Sequence, residues 1–120
     1  DASQRLQELG AQYGFQAYFG WDSIKERFHA AVVQNVLHWA ADPVGVMEHI
    51  RQVADRMYLM QAVVEGASAT FLFVYAIGAA GLVSYRELLG YAGAAGWRPV
   101  KIYSKMPLFV GVFSAHVRAP

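Results

Sequence analysis

A chain of 120 residues supplies one hydrophobic core, and 56% hydrophobic against 16% charged residues excludes a disordered polypeptide. With no cysteine, a disulfide scaffold, a thiol nucleophile, an iron–sulfur cluster and thiolate-bound zinc are excluded as well. The net charge of +1 is unevenly spread: residues 1–65 hold eight acids and five bases, whereas residues 66–120 hold Glu87 against Arg86, Arg98, Lys101, Lys105 and Arg118.

The opening DASQRLQELG lacks the basic-then-apolar layout of a signal peptide, so the cytoplasm is the default compartment. The first residue is not Met, which leaves an export signal open. Ser3 can cap a short first helix carrying Leu6, Leu9 and Tyr13 at helical spacing, before the Gly- and aromatic-rich YGFQAYFGW. Ser23 and Glu26 then read as a capping box. They predict a second helix from about Ile24, with Phe28, Ala31, Val32, Asn35 and Trp39 down one side. Val33, Val36, Leu37 and Ala40 widen its apolar surface, which suits a central helix packed on two sides.

Asp42 as cap and Pro43 at the first helical position predict a third helix running to about Glu65. Its expected core stripe is Val46, Met47, Ile50, Val53, Ala54, Met57, Met60 and Val64, and Gly66 ends it. The short connection makes the second and third helices antiparallel neighbours.

From Gly66 to Tyr85 no residue is charged, which meets the length of a membrane span. The aromatic and β-branched run Phe71–Ile77 instead reads as a strand covered on both faces. The following GAAG, Gly78 to Gly81, has neither the Lys-Ser/Thr of a Walker loop nor a G-x-G-x-x-G pattern, and reads as a turn. Ser84 and Glu87 form a further capping box, so a fourth helix begins near Tyr85 and stops at Gly96 before Arg98–Pro99. Glycine costs about 1 kcal/mol relative to alanine inside a helix, so Gly90 and Gly93 imply close approach of a backbone, from the sheet or from a second subunit. Two strands complete the chain. The first is PVKIYSK, with Val100, Ile102 and Ser104 on one side and Lys101, Tyr103 and Lys105 on the other; LFVGVFSAHV follows after Pro107.

The expected fold is therefore α+β in a single domain, 1–120. Helices fill 1–65, and 66–120 runs strand–helix–strand–strand. The helices pack on a small mixed sheet of about three strands containing one strand–helix–strand crossover, Phe71 to Tyr103.

No catalytic constellation emerges. His29 and His38 fall on different sides of a helix, His49 lies on a polar face and His116 stands near the end, so no metal and no cofactor are expected. GASAT, Gly66 to Thr70, precedes a strand where a nucleophile elbow would follow one. His38 reads as a hydrogen-bonded, semi-buried side chain. The reading is a non-enzymatic assembly protein, an adaptor, chaperone or regulatory subunit, that binds itself and an unidentified protein. Its interface would comprise Gly90, Tyr91, Gly93, Ala94, Phe109 and Phe113. The alternative is a nucleic-acid-binding accessory protein using Arg86, Arg98, Lys101, Tyr103 and Lys105 as a basic, aromatic strand face. A further alternative is a subunit of a membrane-associated complex.

Overall fold

The computed structural model describes residues 2–18, 20–66, 68 and 83–115. The first helix forms as expected, α1 over Ala2–Tyr13. The segment from Ile24 departs from expectation: it forms strand β1, Phe28–Gln34, between two short 3-10 turns at Trp21–Ser23 and Leu37–Trp39. Its width of apolar surface belongs to a strand of a parallel pair, which is apolar on both faces, and not to a central helix.

Asp42 does cap the next helix, accepting a bond from the Gly45 amide at 3.0 Å, with Pro43 inside the first turn. This helix, α2, covers only Pro43–Val53. The chain then turns extended at Ala54 and continues as β2, Ala54–Ala62, where a longer helix was expected. Met57, Leu59 and Gln61 alternate inward along β2, a period of two that the intervening helix-forming residues disguise.

β1 and β2 pair in parallel, Phe28 opposite Ala54 and Gln34 opposite Met60, with α2 as the crossover between them. A strand–helix–strand unit thus lies earlier in the chain than the one expected from Phe71 to Tyr103. The strand expected at Phe71–Ile77 and the turn Gly78–Gly81 fall outside the described residues.

The described residues from Ser84 onward form the helix and two strands that their local signals indicate. Helix α3, Tyr85–Ala94, opens on a complete capping box: Ser84 Oγ accepts from the Glu87 amide at 3.1 Å, and Glu87 Oε1 accepts from the Ser84 amide at 3.2 Å. Those bonds, Ser84's first, hold the Glu87 carboxyl below its usual range. Strands β3, Trp97–Ser104, and β4, Leu108–Ala115, form an antiparallel pair.

The four strands lie in the order β1-β2-β4-β3, with β4 antiparallel to both neighbours. As expected, the fold is α+β with a small mixed sheet, of four strands among the described residues. Helices α2 and α3 cover one face. There Met47, Met57, Leu59, Leu88, Phe109 and Phe113 are fully buried. Trp97 ties strand to helix by donating from Nε1 to the Met47 carbonyl at 2.9 Å. Val32 and Tyr58, partners across β1 and β2 on the other face, are 68% and 40% exposed.

Candidate functional site

A polar network sits at the carboxyl ends of the parallel pair. β1 stops at Asn35, whose φ of +50° lies in the left-handed region that asparagine tolerates better than most residues. The Asn35 amide donates to the Met60 carbonyl at 2.8 Å, and its Oδ1 accepts from the Ala62 amide at 2.9 Å. The turn at Leu37–Trp39 then drops His38 into the protein, where it is 3% exposed.

Gln61 reaches across from β2 and is fully buried. Its Oε1 accepts from the Leu37 amide at 3.1 Å, and its Nε2 lies 3.0 Å from His38 Nδ1 and 3.2 Å from the Ala62 carbonyl. Burial pushes the His38 imidazole below its ordinary range, so the ring is neutral at neutral pH. In an open sheet of this kind, ligands bind outside the carboxyl ends of the strands, which makes this edge the candidate site.

The carboxylates at this edge have structural duties. Asp42 caps α2, and Glu65 receives the Tyr85 amide on both oxygens, at 2.8 and 3.0 Å. Two cavities lie elsewhere. One, about 590 Å³, gathers Arg27, Glu48, Arg51, Gln52, Gly96 and Ala115 at the amino ends of the parallel strands. The other, about 580 Å³, follows the outer edge of β1 and is lined by Trp21, Phe28, Val32, Val36, Val46 and Ile50 among others.

The residues assigned to an interface do not converge on one surface. Phe109 and Phe113 are core residues with 0% exposure, because the inward face of β4 packs beneath α3. Gly90 and Gly93 have nothing within 4 Å of where a Cβ would stand, so the sheet does not approach them closely. Ala94 is exposed and, with Gly93, rims the cavity at the amino ends. Tyr91 is half-buried and donates to Glu87 at 3.2 Å; burial first, and Glu87 second, raise its hydroxyl above the usual range.

The basic strand residues are dispersed. Lys101 lies over the Tyr103 ring at 4.9 Å, while Lys105 lies over Tyr85 at 5.6 Å. Irregularities between Pro99 and Lys101 and between Ile102 and Ser104 break the simple alternation expected there, and Val100 is 52% exposed where an inward position was expected. Arg86 and Arg98 are exposed.

Among the described residues no three His, Asp or Glu side chains gather as a metal site. His49 stacks on Trp21 with ring centroids 5.0 Å apart, and His116 lies outside the described residues. No described helix is long and apolar enough to cross a membrane. Most of the uncharged stretch 66–85 lies outside the described residues.

Sequence reasoning passed over Asn35 and Gln61 as site residues. The available signal was a polar residue at the end of each of two apolar runs of strand length, FHAAVVQN and MYLMQ.

No protein-family model matches the chain, and no curated protein matches it. Solved structures do. The mitomycin 7-O-methyltransferase MmcR superposes with a TM-score of 0.73 at 16% identity, over 94% of this chain and 39% of its own. TnmH gives 0.70 at 23% identity, over 92% and 39%. The O-methyltransferase NcsB1 of neocarzinostatin biosynthesis, in complex with S-adenosylmethionine and 2-hydroxy-5-methyl naphthoic acid, gives 0.71 at 20%, over 95% and 37%.

The chain thus spans well under half the length of these proteins. The likeness overturns the expectation of a non-enzymatic adaptor, chaperone or regulatory protein, because the fold is one found in enzymes. At these identities the likeness is one of fold.

The described residues alone do not fit S-adenosylmethionine. A nucleoside ligand at such an edge calls for a glycine-rich turn after a strand and an acidic residue for the ribose. Neither stands uncommitted here, since Asp42 and Glu65 are engaged by backbone amides.

Proposed function

We propose that this chain is part of an enzyme that methylates the oxygen of an aromatic hydroxy compound, and that it supplies the wall bearing His38 on the acceptor's side. The observation that carries the reading is the superposition on the O-methyltransferases MmcR and NcsB1 over 94–95% of the chain. The methyl donor would be held mainly by the part of the fold that the superposition leaves uncovered in those proteins.

Among the described residues β1 is an edge strand, which supports the same reading. A parallel strand is ordinarily covered on both faces and paired on both sides. Here Phe28, Val32 and Val36 are 38%, 68% and 45% exposed beside an apolar cavity of about 580 Å³. A further strand with its helix would cover them.

The test is an equilibrium titration of the protein with 1,4-dihydroxy-2-naphthoic acid, a compound bound in one of the NcsB1 structures. Saturable binding, weakened about tenfold in His38→Ala by loss of one hydrogen bond, is the expected outcome. Absence of binding, or binding indifferent to His38, would count against the acceptor-side role.

A further inference from the structure

Strand β1 ends in a turn whose hydrogen-bond donors are not all used by the described residues. Asn35 sits there at φ +50°, a backbone conformation that residues other than glycine keep only where their surroundings hold them in it. Two bonds to β2 do the holding. The Asn35 amide donates to the Met60 carbonyl at 2.8 Å, and Oδ1 accepts from the Ala62 amide at 2.9 Å. A peptide N–H can only donate, so the Ala62 amide fixes which end of the Asn35 side chain is the oxygen. Nδ2 takes the other position and has no partner among the described residues. Asn35 is half-buried, and no buried side-chain nitrogen or oxygen of the described residues lacks a hydrogen bond. Nδ2 therefore reaches the surface. The next residue adds a second donor: the Val36 amide bonds to no described group, while the amides on either side of it, of Asn35 and Leu37, are committed to Met60 and Gln61.

We propose that Asn35 Nδ2, with the Val36 amide beside it in the chain, is a further binding site for an oxygen that only accepts, a carboxylate or carbonyl on the ring of the methyl acceptor. The ring is that of the aromatic hydroxy compound in the methyltransferase reading, on which this assignment rests. His38 follows Asn35 by three positions. Both donors are amide N–H groups, which neither gain nor lose a proton near neutral pH, so their part is to hold and orient the ring. Gln34, Asn35, Val36 and Leu37 bring no charge of their own. That suits a carboxylate or carbonyl oxygen better than a phosphate, which draws arginine or lysine.

The test follows the Asn35 side-chain amide and the Val36 backbone amide by NMR in the ¹⁵N-labelled protein, the former assigned by its loss in Asn35→Gly. Three probes are titrated: 1,4-dihydroxy-2-naphthoic acid, its methyl ester, and 1,4-dihydroxynaphthalene, which has neither group. The acid, the ester or both should move the two signals downfield, and the diol should bind without moving them. Asn35→Gly suits φ +50° and adds no charge. It should weaken the responding probe about tenfold, as loss of one hydrogen bond does, and leave the diol unchanged. A response from the acid alone assigns the oxygen to a carboxylate, and one that includes the ester assigns it to a carbonyl. Binding that leaves both signals unmoved, or equal weakening of all three probes in Asn35→Gly, would overturn the proposal and leave the methyltransferase reading standing. Failure of all three to bind would overturn both. The shifts in the unaltered protein decide the matter even if Asn35→Gly fails to fold.

Discussion

The two ends of the parallel strand pair hold polar groups in opposite ways. At the carboxyl ends, Asn35 is bonded to Met60 and Ala62, and Gln61 to Leu37, Ala62 and His38, over 2.8–3.2 Å, with His38 and Gln61 almost wholly buried. At the amino ends, Arg27 and Asp55 meet at 2.6 Å, a shorter contact, but their side chains are 53% and 58% exposed. Distance alone would rank the ion pair first. Solvent reverses the ranking, because water competes for both charges at the surface, whereas a buried amide that loses its partner has no substitute. The carboxyl end is therefore the more firmly held one, and a firmly held side chain is what a site needs in order to orient a ligand.

The largest expected effect breaks the buried network. Gln61→Leu leaves the Leu37 amide and His38 Nδ1 without their partner and should lower stability by about 2–3 kcal/mol in urea unfolding. Asn35→Ala comes next, at about 2 kcal/mol. It removes the bond to the Ala62 amide and places an alanine at φ +50°. Asn35→Gly should recover part of that loss by removing the backbone strain while leaving the bond missing.

A smaller effect is the pH dependence. Because the folded protein holds His38 below its ordinary value, the unfolded chain takes up that proton first, near pH ~6.5. His38's contribution is then full above that pH, declines as the pH falls toward the folded value and levels off below it. Urea midpoints at several pH values, compared with those of His38→Asn, read this directly. The smallest effect is at the opposite end: Asp55→Ala should cost less than about 1 kcal/mol, and added salt should shrink it further. A loss there as large as that of Gln61→Leu would remove the contrast between the two ends.

How legible these features were in the sequence depended on how local their causes are. The Ser84–Glu87 capping box, the Asp42–Pro43 helix start and the final pair of strands all follow from residues within a few positions of one another. β1 and β2 do not. Ala30, Ala31 and the run from Met57 to Gln61 have acceptable helix propensity, and Ser23 with Glu26 imitates a helix start. Pairing in register with a distant strand overrides those preferences.

His38 was legible as a hydrogen-bonded, semi-buried residue, and the structure bonds it to Gln61. The partner was not legible, because 23 positions separate the two and only the parallel register brings them together. Phe109 and Phe113 look like contact residues when an alternating strand is read without knowing which of its faces a helix covers.

The most direct test of the central claim is to map 1,4-dihydroxy-2-naphthoic acid onto the protein by backbone amide shifts. The compound is an anion and has two ends of the sheet to choose between. Shifts centred on Leu37, His38, Gln61 and Ala62 are the predicted result and would place the acceptor at the carboxyl ends of β1 and β2. Shifts centred on Arg27, Arg51 and Gly96, in the cavity at the amino ends, would contradict the account.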